Sequence, residues 1–510
     1  MTSPLISPIL IDMKYFLTKQ YCVPLFFLIL LLVGLNIFKD YGVHWDEYNN
    51  QNFGHVWRVY TQDVLHNGSI ARTPSPPIEL MDWLHGPIVE VSLNFLKNSF
   101  KLSDLRDILL FRHFCCFLLF LLGVYFFYLL CNFYFKNWAM ALLGCLFLVL
   151  SPRIFAHSFY DTVDIPFLSF YILSIYTLLK WLDKKTFLNA SVHALACAIL
   201  IDIRLIGLII PLITVLSCLP NFKKSIGQLL LYVLLLTILI FLGWPLLWLH
   251  PVLNFMKIFQ AITHVSFPYS VLYLGKACIG DNLPWHYGPV FLLITTPLFY
   301  SFFFFIGFLH SIRQLKRDTM ILLVCLFLPL FLTHGRLYDS WRHLFFIYPV
   351  FLIFSLMGLS AIWRFGPSIH RFIVLITFLS LSQIIFTMIT DHPFQNIYFN
   401  RLAGKDMQEI KNKFELDYWG LSYKQALEYI LKNDPDRVIT IAVDNPLIPL
   451  IQNNLNILSA QDRNRFKQVP LNEAKYLLTN YRQHPKEYPY PEYASIKFGN
   501  AKILGIYKLK

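Results

Sequence analysis

The sequence predicts a polytopic α-helical membrane protein with a soluble α/β tail, and three observations carry that prediction. Of 510 residues, 56% are hydrophobic, 17% are aromatic and only 14% are charged, with a mean hydropathy of +0.53, too apolar for a soluble globule. The apolar residues gather in runs that approach the ~20 residues a bilayer-spanning helix needs. After Asp391 those runs stop and charged residues become frequent.

In chain order, the apolar runs place spans near 22–38, 108–132, 138–152, 166–182, 188–202, 205–220, 226–249, 288–309, 319–333, 344–363 and 372–389, about eleven helices. Asp202 and Arg204 split the short pair 188–202 and 205–220, and one helix more or fewer would move the tail to the other side. Nothing after the first span reads as a small-residue cleavage site, so that span is expected to stay as an anchor. Lys and Arg in short connections favour the cytoplasm. With Lys14 and Lys19 inside, Lys136, Lys180, Lys184, Lys185, Lys223, Lys224, Arg313, Lys316, Arg317, Arg364 and Arg371 all fall on the same side. The expected outer face then receives loops 39–107, 153–165, 250–287 and 334–343, together with the tail. The division is a membrane module over 1–390 and an extracytoplasmic domain over 391–510. In the tail, 423–431 has helical spacing, Arg437–Asp444 reads as a buried strand, and 494–498 and 502–508 are strand candidates after the prolines at 485, 489 and 491.

The net charge of +13 is spread over cytoplasmic turns and tail. No basic aromatic face forms of the kind nucleic acid requires, so membrane lipid is the expected partner. All nine cysteines but Cys278 lie in or beside apolar spans, where a thiol behaves as a small hydrophobe, and no CxxC metal site is present. The Asn-X-Ser matches at Asn67 and Asn189 are frequent by chance.

The residues that carry chemistry collect on the outer face. Asp46-Glu47 follows the first span by eight residues, flanked by Trp45 and Tyr48, which suit the membrane interface. Arg112 and His113 stand at the mouth of the second span, His157 and Asp164 lie in Ser151–Pro166, Trp285 and His286 precede the eighth span, and Arg342 and His343 precede the tenth. Transfer from a phosphate-linked lipid needs a base for the acceptor, cations for the leaving phosphate and an apolar groove for the tail. Each element also has a plainer reading: the arginines can snorkel toward headgroups, a lone histidine is more often structural, and Asp161 or Asp164 can cap the helix that begins near Pro166.

Ser151-Pro-Arg-Ile-Phe-Ala-His-Ser-Phe-Tyr160, Leu283-Pro-Trp-His-Tyr287, Asp339-Ser-Trp-Arg-His343 and Asp417-Tyr-Trp-Gly-Leu-Ser-Tyr423, with the acidic pair in the first outer loop, resemble the GT-C membrane glycosyltransferases. Within them the chain is similar to the protein O-mannosyltransferase-like branch, glycosyltransferase family 39, and to the bacterial aminoarabinose transferases of lipid A. The resemblance runs nearly end to end. It implies inverting transfer of a sugar from a polyprenyl-phosphate donor to a lipid, glycan or protein acceptor at the outer face, in a bacterial cytoplasmic membrane. It implies Asp46 as general base, Glu47 and Asp164 as supporting carboxylates, and Arg112, Arg204, Arg342 and His343 at the donor phosphate. His113, His157, Trp285 and His286 become substrate-loop residues. No cofactor is required, although Asp46, Glu47, Asp164 and His286 offer ligands to a divalent ion. The chain departs from the family in having Asp161-Thr-Val-Asp164 where Asn-Pro-Lys-Asp is expected, so a loop proline and a cation are missing. The competing readings are a transporter or lipid flippase, centred on Asp202 and Arg204, and a scaffold whose outer tail binds a partner.

Overall fold

The structure, a computed structural model, describes residues 18–67, 85–248, 250–263, 267, 269–333, 337–444, 450–482 and 486–510. It is mostly helical. Among the described residues, Lys19–Ile37, Leu105–Phe135, Asp164–Asp183, Ser225–Gly243, Arg342–Phe365 and Pro367–Thr390 are long and apolar enough to cross a membrane, and Trp138–Val149, Phe187–Ile203, Leu205–Cys218 and Leu298–Ile312 are shorter apolar helices. Arg317–Leu332 completes the correspondence with the expected runs.

Local chemistry sets the boundaries. The Asp104 carboxylate accepts from the Arg106 amide at 2.9 Å to cap Leu105–Phe135, and Lys136 in the left-handed region closes that helix. The expected run 288–309 is instead two helices, Tyr287–Ile294 and Leu298–Ile312. The cause is Pro297, which lacks an N–H and disfavours helix at the residue before it. Asn400, far along the chain, satisfies the broken end by donating to the Leu293 and Thr296 carbonyls at 2.6 and 2.7 Å. Helices Leu298–Ile312 and Tyr348–Ile362 approach until a Cβ on Gly307 would sit 1.8 Å from the Phe354 carbonyl oxygen and one on Gly358 would sit 2.0 Å from that of Phe303. Small residues permit such backbone contact between membrane helices.

The long connections hold structure that membrane-length apolar runs do not reveal. Residues 39–107 contain the helices Glu47–Asn67 and Ile88–Ser99, the first burying Phe53, Trp57, Tyr60 and Val64 at helical spacing. Residues 250–287 contain the helix Pro251–Thr263 and a hairpin of β1 (Ser270–Tyr273) and β2 (Lys276–Ile279). Its two turn residues, Leu274 and Gly275, both have positive φ, as a type I′ turn requires.

The tail contains β3 (Ile439–Val443), β4 (Phe466–Gln468), β5 (Tyr476–Thr479), β6 (Glu492–Phe498) and β7 (Ala501–Lys508) in one sheet of order β4-β3-β5-β7-β6. β3 pairs in parallel with β4 and β5, and β7 runs antiparallel to β5 and β6. Helices Tyr423–Asn433 and Leu450–Asn456 join it, with Leu427, Ile430, Ile441, Leu478 and Ile506 in the shared core. Residues between the last long helix and this sheet, including Ile397, Phe399, Phe414 and Trp419, pack into the same apolar cluster as the membrane helices.

Candidate active site

The turn after the first span carries Asp46, and the Glu47–Asn67 helix begins at the next residue. Val43 is pinned from both sides by the tail residue Asn454, whose amide oxygen accepts from the Val43 N–H and whose amide nitrogen donates to the Val43 carbonyl, each at 2.9 Å. The turn so held sends its two carboxylates to different places. Asp46, with its side chain 41% exposed, borders a cavity of about 660 Å³ and stands 3.9 Å from the Arg342 guanidinium. Glu47 is 2% exposed. It accepts from Arg112 Nε and from Gln51 at 3.1 Å, and pairs with His44 at 3.2 Å. Burial alone would push its carboxyl up, but Arg112 and His44 outweigh burial and hold it at about 2. Burial likewise opposes the charged form of His44, and Glu47, Asp46 and Asp161 overcome it to raise its pKa.

Arg112 forks onto Glu90 at 2.8 and 3.1 Å, and Thr162 donates to Glu90 at 2.6 Å. Its placement therefore differs from the expected contact with a donor phosphate. Its guanidinium faces Glu47, Glu90 and Thr162, because two buried carboxylates draw the one buried arginine between them.

The cations that reach the cavity are Arg204 and Arg342, joined there by His343 and His85. Both arginines are held from behind by Asp164, at 2.7 Å from Arg204 and 3.2 Å from Arg342. Asp164 is 2% exposed at the start of its helix. Asp339, fully buried, lies 3.6 Å from Arg342 and 2.6 Å from Arg482, and accepts from the Trp419 indole at 3.2 Å. The Trp419 ring stacks on His44 at 4.7 Å and lies 4.8 Å from the Arg342 guanidinium. Tyr338 takes the Arg342 guanidinium at 5.4 Å and the His343 ring at 4.6 Å. Facing this polar side, Leu205, Ile206, Ile209, Leu212, Phe259 and Leu332 make an apolar wall.

Of the residues expected from sequence, Asp46, Arg204, Arg342 and His343 meet on the cavity and Asp164 stands directly behind it. The others lie elsewhere. His113 is buried with Nδ1 3.3 Å from the Phe38 carbonyl, and His157 is held by Asp161 at 2.9 Å and Tyr418 at 3.2 Å. His286 faces the Tyr273 hydroxyl at 2.7 Å and Trp285 is 69% exposed. Among the described residues, no three His, Cys, Asp or Glu side chains converge as a metal site. Sequence reasoning missed His44, His85, Tyr338, Asp339, Trp419 and Arg482 as individual site residues. For most, the only signal was membership of a polar-aromatic segment, and Arg482 had none.

Residues 107–248 match the family described as dolichyl-phosphate-mannose-protein mannosyltransferase. No curated protein matches the sequence. Among solved structures, ArnT from Cupriavidus metallidurans bound to undecaprenyl phosphate superposes with a TM-score of 0.52 at 10% identity, over 96% of this chain and 98% of that one. The same ArnT in the apo state gives 0.49 at 9% identity, with the same coverage. The Archaeoglobus fulgidus oligosaccharyltransferase gives 0.46 at 12% identity, over 88% of this chain and 65% of its own. The chain shares the fold of that ArnT, and residues 107–248 are similar to the mannosyltransferase family. The cavity joins a half-exposed carboxylate, two anchored guanidiniums and an apolar wall. That set can hold a phosphate beside a lipid chain and take a proton at its edge.

Proposed function

We propose that this protein transfers a sugar from a polyprenyl-phosphate donor to an acceptor hydroxyl at the outer face of the membrane, by inverting displacement with Asp46 as the base. The observation that carries the proposal is the single cavity shared by Asp46, Arg204, Arg342 and the apolar wall. The donor phosphate sits against Arg204 and Arg342, whose positions Asp164 and Asp339 fix, and the first prenyl units lie along Leu205, Ile209 and Leu212. Asp46 takes the acceptor proton as the acceptor oxygen bonds to the anomeric carbon. The bond from that carbon to the phosphate oxygen breaks, and its electron pair leaves on the phosphate. The two guanidiniums stabilise that charge without reorganising, which is the largest contribution a fixed site can make. Glu47 and Arg112 act one step back, holding the Asp46 turn against the second span. The undecaprenyl phosphate bound to ArnT supports a polyprenyl donor, the basic connections support a cytoplasmic N-terminus with the loops and tail outside, and the likeness to a bacterial ArnT supports a bacterial inner membrane.

The test is transfer of labelled sugar from a synthetic polyprenyl-phosphate donor by purified wild type and Asp46→Asn, scoring product and released lipid phosphate. Loss of a general base lowers turnover by ~10²–10⁴, and equal turnover in the folded variant would remove Asp46 from the reaction. Chelator and added Mg²⁺ or Mn²⁺ in the same assay ask whether a divalent ion assists the two arginines.

A further inference from the structure

The first turns of the Glu47–Asn67 helix separate two cavities. Asp46, Asn49 and Asn50, spaced i, i+3, i+4, line the one described above. Tyr48, Gln51, Asn52 and His55 line a second cavity of about 390 Å³ on the other side, closed by Lys97, by the mouth of the Leu105–Phe135 helix and by the tail helix Leu450–Asn456. The volume falls within the ~300–1,000 Å³ of small-molecule sites.

The lining of this second cavity is unlike the first. It presents the side-chain amides of Gln51, Asn52, Gln452 and Asn456 beside a tyrosine ring that is 61% exposed. Gln452 donates to Asn456 at 3.2 Å and Gln51 donates to Glu47 at 3.1 Å. Each amide has two donors and an acceptor oxygen with two lone pairs, so these bonds leave capacity for a ligand and set the amide orientations. Paired donors and acceptors beside an aromatic face suit a ligand with many hydroxyls and apolar C–H faces. The charge balance argues against an anionic headgroup. Lys97 is the cation among the lining residues, and the lining carboxylate Glu47 is neutralised by Arg112 and His44.

We infer that this second cavity binds a neutral saccharide, the acceptor of the transfer, between the Glu47–Asn67 helix and the tail helix Leu450–Asn456. The inference rests on the transferase reading for its link to chemistry: Asp46 ends the wall between the two cavities, so an acceptor hydroxyl carried round that end meets the base while the donor stays on its own side. It also gives the tail a role, because Gln452 and Asn456 come from it.

The experiment is saturation-transfer NMR on the purified full chain with three neutral probes, maltotriose, mannotriose and N,N′,N″-triacetylchitotriose, and one anionic probe, glucosamine 1-phosphate. At least one trisaccharide should bind, the sugar phosphate should not displace it, and Tyr48→Ala and Gln452→Ala should each weaken it tenfold or more. Both side chains are exposed, so both variants keep the fold. Binding of no trisaccharide, displacement by the sugar phosphate, or unchanged binding in both variants overturns the inference. The two readings fail separately. Trisaccharide binding with undiminished transfer by Asp46→Asn refutes the base and leaves the saccharide site, whereas abolished transfer with no saccharide binding refutes the saccharide site alone.

Discussion

Replacing Arg112 by methionine separates an anchor for the Asp46 turn from a ligand for the donor phosphate. Arg112 is 3% exposed, and the carboxylates it joins, Glu47 and Glu90, are 2% and 4% exposed. Deleting the guanidinium leaves the buried Glu90 without a cation and Glu47 with His44 alone, and removing one partner of a buried ion pair costs ~3–5 kcal/mol. Glu47 gives a second figure, for Arg112 and His44 together. Burial raises its carboxyl, Arg112 and His44 lower it, and the net value of about 2 lies below its ordinary 4.5, equivalent to about 3 kcal/mol. Because the folded value is depressed, that stability is present above pH 4.5 and is lost as the pH falls toward 2. Arg112→Met should therefore lose ~3 kcal/mol or more at pH 7 and flatten the acid limb of the stability profile. Arg112→Lys, which keeps the charge but not the fork, should fall between. The assay is unfolding in SDS-containing mixed micelles at pH 7, 4.5 and 3, with Glu47→Gln added to Arg112→Met to complete a double-mutant cycle. A coupling of ~0.5–3 kcal/mol is expected for residues in contact. The reasoning is refuted if Arg112→Met is as stable as wild type while the KM for the donor rises tenfold, since Arg112 would then be a phosphate ligand.

On the proposed reading the cavity arginines behave in the opposite way: Arg342→Met should lower kcat by ~10²-fold or more, as loss of a transition-state donor does, and turnover within threefold of wild type would exclude a role at the phosphate. Arg482→Gln leaves the fully buried Asp339 without its 2.6 Å partner, and should destabilise by ~3 kcal/mol in the same unfolding assay; a neutral result would show the tail to be energetically separate. Burial raises the Glu415 carboxyl, Arg482 opposes this and Asp339 adds to it, with a net value of about 7. Its stability contribution is full below about pH 4.5 and is lost as the pH rises through 7, so Glu415→Gln should stabilise at pH 8 relative to wild type and make little difference at pH 4.5. Gly358→Val should prevent assembly, because a Cβ there meets the Phe303 carbonyl oxygen at 2.0 Å, and recovery of a normally folded variant in detergent would refute that contact.

Composition and run length were enough to read the helical membrane class, because the bilayer imposes length and apolarity on every span independently of its neighbours. The same filter is blind to the helix Glu47–Asn67, whose buried Phe53, Trp57, Tyr60 and Val64 carry a periodic signal too sparse to form an apolar run. It is blind also to the break at Pro297, because the run on either side is apolar and the compensating donors come from Asn400. In the site, Asp46 was legible because a carboxylate beside a span is rare enough to notice. Its neighbour Glu47 looked the same in sequence and does something different: the backbone turn points one carboxylate into the cavity and the other onto Arg112, and no spacing rule distinguishes them. Trp419 and Arg482 were hidden for a deeper reason. They reach the cavity and its supporting network from the tail, through Asp339, a contact that exists only when residues 339, 419 and 482 have been brought together by the fold. The cavity is therefore a product of both regions. The apolar helices supply the cations and most of the apolar wall, the tail supplies the aromatic plate beneath Arg342 and, through Asn454, the pin on the turn that holds Asp46, and a chain truncated after Thr390 should keep its spans yet lose both the plate and the pin.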